Sequence, residues 1–388
     1  MSDHVQIIVK VAERCNLDCA YCYMYTAGDQ SWRDRPALLA PELRDQLRVR
    51  CAEYLAADPR RRLTLEFHGG EPLLLGKPAF RALLADLRDS LPRDRVFLCL
   101  QTNGTLLDDE WCDLFEAHGM SWSISCDGPP PIHDRFRLYH SGAASSARVE
   151  QAIRLSLARN SDHFGGVLAV IDPSTRGPDV VRYFHDLGVR GFDLLLPDAS
   201  HAARPGHLPR FSMAAVQRYL IEAFDAWIAL ADPGFRVRLF EHMIRGLFGL
   251  RSGLDAFGGE LWGMLVVESD GSYQLLDVMR IHGVGEVATG LDLVRHSLDD
   301  YLHDTRDRLP AACATCTACP IFRVCGGGYL PHRFDGRDYD RPSVYCDVLY
   351  QLIGHIHAYL RGVTPPEMWH ASPAPATAAE PDRDAAPA

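Results

Sequence analysis

The chain has 388 residues, with 51 Asp and Glu against 40 Lys and Arg for a formal net charge of −11, and it is 47 % hydrophobic and 23 % charged. That balance describes a globular protein of one large domain plus a smaller one, and it speaks against nucleic acid as a partner. No charge-free apolar run reaches the roughly 18 residues of a membrane span, and the start, Met1-Ser2-Asp3-His4-Val5, has neither the basic region nor the apolar core of an export signal, so a cytoplasmic protein is expected.

The run Val5-Gln6-Ile7-Ile8-Val9-Lys10-Val11-Ala12 reads as a buried strand ending just before the first cysteines. Residues 41–57 open on Pro41-Glu42 and place Leu43, Leu47, Cys51, Tyr54 and Leu55 at helical spacing. A strand over 63–67 runs into the turn His68-Gly69-Gly70-Glu71-Pro72, and a helix over 77–89 follows. The cycle then repeats. Strands at 95–101, 121–125, 165–171 and 191–196 alternate with helices at 108–118, 146–159 and 178–187. Six strands alternating with helices over about 200 residues predict a curved, mostly parallel sheet, whose active-site rim lies at the C-terminal strand ends. The unusual loops 15–22, 68–72, 101–104 and 125–128 all fall there. Helices are expected over 213–231 and 236–250, a β-hairpin over 262–273 turning at Asp270-Gly271, and a closing helix over 346–360. Residues 371–388 contain 12 Ala or Pro and are expected to be disordered.

Twelve cysteines sit unevenly along this plan. Cys51, Cys99, Cys112 and Cys126 are scattered singly, as small buried hydrophobes are. Cys15, Cys19 and Cys22 form a C-x3-C-x2-C motif, and five more crowd into 313–346. Without an export signal these read as reduced thiols or metal ligands. Three thiolates are one short of what a [4Fe–4S] cube takes, which leaves one iron open for a small ligand. An incomplete zinc knuckle is the plainer alternative. Cys316, Cys319, Cys325 and Cys346 supply four thiolates, enough for a fully ligated cluster or for zinc.

The first motif resembles the signature of the radical S-adenosylmethionine (SAM) enzymes. In that family the open iron is chelated by the methionine end of the cofactor, and reductive cleavage yields a 5′-deoxyadenosyl radical that abstracts a substrate hydrogen. The resemblance implies a partial (β/α)6 TIM-like barrel. Gly69-Gly70-Glu71-Pro72 resembles the glycine-rich element that holds the methionine amino group. Gln101-Thr102-Asn103-Gly104 and Ser125-Cys126-Asp127-Gly128 resemble the next two cofactor loops. Asn103, Ser125, Asp127, Arg137 and Tyr21 are the cofactor contacts so implied, with turn formation and core packing as their structural alternatives.

The later cysteines resemble the SPASM extension of radical enzymes that modify peptides. A full extension carries two auxiliary clusters on seven cysteines. Here Asp277 stands where a cysteine is expected after the hairpin, Tyr329 replaces another, and no C-x9–15-G-x4-C element appears. One auxiliary [4Fe–4S] cluster is therefore expected, on Cys316, Cys319, Cys325 and Cys346, with Cys313 spare or a substitute. The expected domains are a barrel over 1–235, a helical bridge over 236–261, a SPASM-like β-hairpin and helical domain over 262–362, and a tail over 363–388.

Cys325-Gly326-Gly327-Gly328-Tyr329-Leu330-Pro331-His332-Arg333 and Pro342-Ser343-Val344-Tyr345-Cys346 further resemble the maturases of FxSxx-type ribosomal peptides, which form cyclophanes. This implies a precursor peptide as substrate and a flavodoxin- or ferredoxin-like electron donor. It implies a radical at a side-chain Cβ that adds to an aromatic ring, and Tyr329, His332 and Arg333 as substrate contacts. Asp277 is the suggested base. Thioether formation, epimerisation and the serine or cysteine oxidation of sulfatase maturation share the machinery. A non-catalytic iron–sulfur protein is the remaining alternative, and loss of the nearer auxiliary cluster counts against a standard sulfatase maturase.

Overall fold

The structure, a computed structural model, describes residues 3–208, 211–250, 254, 263–283, 285, 287–306 and 308–365. Twelve strands are assigned among them: β1 His4–Ala12, β2 Leu17–Cys19, β3 Arg62–Gly69, β4 Val96–Thr102, β5 Met120–Ser125, β6 Arg137–Tyr139, β7 Phe164–Val170, β8 Gly191–Leu195, β9 Arg236–Val237, β10 Met264–Val267, β11 Ser272–Gln274 and β12 Ala288–Asp292. Ten form one sheet in the order β12-β11-β10-β1-β3-β4-β5-β7-β8-β9. The strands from β10 to β9 pair in parallel, and β11 and β12 are antiparallel additions at one edge. The six strands read from the sequence are its centre. β1 is buried along nearly its whole length, as a central parallel strand covered on both faces must be.

Helices follow the strands as expected: α1 Pro41–Ala57, α2 Lys77–Ser90, α3 Asp109–Ala117, α4 Pro130–His133, α5 Ser146–Ala158 and α6 Gly177–Leu187. Then come α7 Met213–Leu230, α8 Arg238–Leu247, α9 Leu298–Thr305, α10 Ala314–Thr317, α11 Phe322–Cys325 and α12 Cys346–Val363. Their buried faces keep helical spacing. α2 buries Phe80, Leu83, Leu84 and Leu87, and Phe80 meets Trp111 and Phe115 of α3 edge-on. α3 begins where the Asp108 carboxylate accepts from Trp111 N, which satisfies one of the helix's orphan amides. α12 buries Val348, Leu349, Leu352, Ile353, Ile356 and Leu360, and its Tyr359 and His355 rings pack edge-on against Phe224 of α7.

Three features depart from the sequence reading. The hairpin β10–β11 continues the barrel's own sheet, with β10 parallel to β1 from Gln6↔Met264 to Val9↔Val267. The expected helix over 236–250 opens on two residues of strand β9. A small antiparallel sheet, β2 with β6, joins the cysteine loop to the segment after β5 and pairs Cys19 with Arg137. Strands of three residues carry too little pattern to be read from a sequence. Among the described residues no helix is long and apolar enough to cross a membrane. The expected disordered tail lies outside the described residues beyond 365.

Candidate active site

Parallel register brings the C-terminal ends of the strands to one rim. There the chain encloses a cavity of about 340 Å³. Cys15, Cys19 and Cys22 line it together with Gly69, Gly70 and Ser125. The loop carrying the three cysteines is held from several sides. Leu17 N donates to Cys15 Sγ at 3.4 Å, Asn103 Nδ2 lies 3.6 Å from the same sulfur, and Asn103 Nδ2 donates to Asn16 Oδ1 at 2.8 Å. Burial pushes the Cys15 and Cys19 thiols up to about 12. The free thiols are therefore protonated at neutral pH, and binding a cation there releases protons.

The glycine-rich turn splits into two roles. Gly69 has φ +143°, and Gly70 N donates to the Ala12 carbonyl at 2.8 Å, so bare backbone faces the cavity. Glu71 lies behind it, fully buried. One carboxylate oxygen accepts from Leu73 N at 3.1 Å and Thr102 Oγ1 at 2.7 Å, and the other accepts from Asn103 N at 2.8 Å. Burial pushes this carboxyl up to about 7. Glu71 thus laces the ends of β3 and β4 together and does not line the cavity. Pro72 is buried at the first turn of a short 3₁₀ helix beside it.

Ser125 Oγ accepts from Gln101 Nε2 at 2.8 Å and faces the cavity. Asp127 sits deeper. It accepts from Arg137 Nε at 3.0 Å, from the Tyr21 hydroxyl and from Val170 N at 3.1 Å. Arg137 and Tyr21 line the cavity, with the guanidinium 5.3 Å from the centre of the Tyr21 ring. Asp127 and Arg137 therefore meet as a buried ion pair.

On another wall, Lys10 projects from β1 as a fully buried ammonium. It donates to Asp277 at 2.5 Å and to the Tyr23 hydroxyl at 3.1 Å, and Tyr23 donates to the same Asp277 oxygen at 2.6 Å. The Lys10 charge and these hydrogen bonds outweigh burial and hold the Asp277 carboxyl well below the usual range. Tyr23 lines the cavity, with Asp277 behind it.

The cysteine-rich extension closes the cavity with Tyr329 and His332. Arg333 points elsewhere. Its guanidinium donates to the carbonyls of Tyr339 and Arg341, at 3.1 and 3.2 Å, and of Ala311. It braces the loop and does not reach the cavity. Cys316 of α10, Cys319 just beyond it, Cys325 at the end of α11 and Cys346 at the start of α12 form a connected set of electrostatic neighbours. Cys313 joins them, within hydrogen-bonding distance of Cys316.

The donor sets fit iron–sulfur clusters. A [4Fe–4S] cube takes one thiolate per iron, so Cys15, Cys19 and Cys22 leave one iron open for a small ligand, and Cys316, Cys319, Cys325 and Cys346 would ligate a cube fully.

Among the residues that escaped the sequence reading are Asp198, which lines the cavity, and Lys10, buried behind Tyr23. Each left a signal. Lys10 is a lone charge inside an apolar strand, and Asp198 follows the end of β8 at the expected rim.

The Radical SAM superfamily model matches residues 9–191. The chain is 24 % identical to the serine-type anaerobic sulfatase-maturating enzyme of Bacteroides thetaiotaomicron, over 91 % of this chain and 90 % of that one. It is 25 % identical to the cysteine-type enzyme of Clostridium novyi, over 88 % of this chain and 92 % of that one. Among solved structures, anSMEcpe with bound AdoMet and the Cp18Cys peptide superposes with a TM-score of 0.79 at 21 % identity, covering 93 % of this chain and 98 % of that one. Streptococcus suis SuiB bound to its precursor peptide SuiA gives 0.60 at 13 % identity, covering 88 % and 75 %.

These matches overturn the assignment to the cyclophane-forming FxSxx-type maturases. The segments that carried it shape the cluster loop. Gly326, Gly327 and Gly328 all take positive φ, and a Cβ on Gly327 would sit 3.7 Å from Cys316 Sγ. They report how the thiols are presented and say nothing of the bond made in a substrate. The chain is an enzyme with a radical-SAM partial barrel core, matched by the superfamily model over residues 9–191, and a cysteine-rich SPASM-like extension, and its near-full-length likeness runs to the anaerobic sulfatase-maturating enzymes.

Proposed function

We propose that this enzyme oxidises a serine or cysteine side chain of a peptide substrate, the chemistry of sulfatase maturation. The observation that carries the reading is the enclosed cavity. Its one wall is the Cys15/Cys19/Cys22 loop with Gly69-Gly70, and its other is Tyr329 and His332 of the extension. A side chain placed between them faces the first thiol set on one side and the extension on the other. When bound at a reduced [4Fe–4S] centre, S-adenosylmethionine supplies hydrogen abstraction from an unactivated carbon.

The chain's own groups have separable tasks in this reading. Cys15, Cys19 and Cys22 hold the first cluster. Gly69 and Gly70 admit the cofactor against bare backbone, and Asn103, Ser125 and the guanidinium of Arg137 hold its polar groups. Asp127 sets the angle of Arg137 through their ion pair. Cys316, Cys319, Cys325 and Cys346 hold the single auxiliary cluster, the electron acceptor, with a flavodoxin- or ferredoxin-like protein as external donor. Tyr329 and His332 contact the peptide. Asp277, suggested as a base, is an anchor here: the Lys10 ammonium against it opposes protonation.

The test uses reconstituted, anaerobically reduced enzyme with peptides carrying one serine or one cysteine. Peptide-dependent 5′-deoxyadenosine and an aldehyde captured by a hydrazide probe are expected, with loss of two hydrogens from serine. Two lost hydrogens with no hydrazide capture, or an unchanged peptide mass, would overturn the proposal.

A further inference from the structure

The register of β1 on β3 sets Lys10 opposite His68, one residue before the paired glycines. A lysine ammonium carries three hydrogens and no acceptor. All three are taken here: by Asp277 at 2.5 Å, by the Tyr23 hydroxyl at 3.1 Å and by His68 Nδ1 at 3.1 Å. The third contact fixes the imidazole. Because the ammonium only donates, Nδ1 is the bare nitrogen of the ring and Nε2 carries its hydrogen. Burial and the Lys10 charge keep the ring neutral down to about 3, so Nε2 remains an N–H donor at neutral pH.

That hydrogen is unspent. His68 lines the cavity, and among the described residues none accepts from its Nε2. Its neighbours have nothing left to give. Lys10 has used its three hydrogens, the Tyr23 hydroxyl donates to Asp277 at 2.6 Å, and Asp277 is held ionised. Of these four side chains, His68 alone offers a hydrogen to a molecule in the cavity.

We propose that His68 is a specificity-determining residue, whose Nε2–H hydrogen-bonds the heteroatom of the substrate side chain and so selects serine over cysteine. This rests on the function proposed above and narrows its substrate to a hydroxyl side chain. The two candidate substrates differ in what they offer such a donor. A serine oxygen presents two acceptor lone pairs, whereas sulfur is a weak acceptor. A neutral hydrogen bond of this kind is worth up to roughly tenfold, and more where the wrong substrate leaves a buried donor unpaired. A side chain present only to satisfy Lys10 would need an acceptor and nothing more. The imidazole adds a donor on its far edge, and its tautomer is set from behind by the same ammonium that anchors Asp277.

The test uses full-length, reconstituted enzyme and two peptides that differ only in serine or cysteine at the target position. The readout is the serine-over-cysteine ratio of kcat/KM for aldehyde formation. Wild type, which needs no variant to fold, is expected to favour serine by roughly tenfold or more. In His68→Leu the ratio is expected to fall about tenfold. A merely structural defect lowers both rates together and leaves the ratio where it was. His68→Gln can turn its amide oxygen to Lys10 and its N–H to the cavity, and is expected to hold the ratio within about threefold of wild type. A wild type that favours cysteine, a ratio unmoved in His68→Leu, or a ratio that falls as far in His68→Gln as in His68→Leu would overturn the role of His68 and leave the oxidation standing. Absence of aldehyde from both peptides with wild type would overturn both.

Discussion

Gly70 shows how little room the rim leaves. A Cβ there would lie 2.3 Å from the Arg14 carbonyl oxygen and 2.0 Å from the Tyr25 hydroxyl. The tyrosine tip can swing aside. The carbonyl cannot, because it accepts from Glu71 N at 2.9 Å. Gly70→Ala must therefore push Arg14, and with it Cys15, out of place. A stability loss of about 1–3 kcal/mol is expected, together with loss of the visible absorbance of the N-terminal cluster after reconstitution. Gly76→Ala is the matched control. Its φ of +83° strains the alanine, but nothing lies within 4 Å of its Cβ, so the absorbance should be unchanged. At this scale the sequence was legible where chemistry repeats a spacing, as in the cysteines and the paired glycines. It was illegible where a side chain turns away from the motif it belongs to. Glu71 reads like a ligand contact, yet beside Leu73 N of its own turn its donors are Thr102 and Asn103 at the end of β4, which no local pattern reveals.

The elements were mostly legible because parallel strands and their helices announce themselves by period. α1 begins and ends where its apolar spacing and Pro41 put it. What the pattern could not show is which strand lies beside β1. That neighbour is β10, from far along the chain, and the crossing is marked by the buried Lys10–Asp277 pair. Lys10→Met leaves Asp277 an uncompensated buried charge, which costs about 3–5 kcal/mol. The pH dependence has a definite sign. The folded-state pKa of Asp277 lies far below its ordinary 3.8, so its contribution is full above that value and is lost as pH falls below it. In Lys10→Met that contribution is gone, and the deficit against wild type should shrink in acid. The double variant Lys10→Met/Asp277→Asn should recover much of the loss at pH 7 in chemical denaturation. A double variant no more stable than the single one would show that the pair is not what joins these strands.

For the whole molecule, the first thiol set and the extension's Tyr329 and His332 line one cavity, and a single sheet carries both the barrel and the hairpin that begins the extension. Tyr345 and His201 tie the extension to the rim. Cluster loading is thereby linked to folding of the extension, since a ligand held by the folded state alone stabilises it by mass action. The number of clusters follows from the thiols. Two cubes predict about eight irons per chain after reconstitution. Replacing Cys15, Cys19 and Cys22 with alanine should leave about four irons, and so should replacing Cys316 and Cys319. The second variant should also lose thermal stability and become protease-sensitive within 313–346, because its loops are short helices of four residues that a cluster would cross-link. The first should not, since its loop is also clipped by β2 and β6. About twelve irons in the wild type would demand a third cluster, and the single-auxiliary arrangement would fall. Cys313→Ser separates the remaining possibilities: unchanged iron marks a spare thiol beside Cys316, and loss of about four irons makes it a ligand.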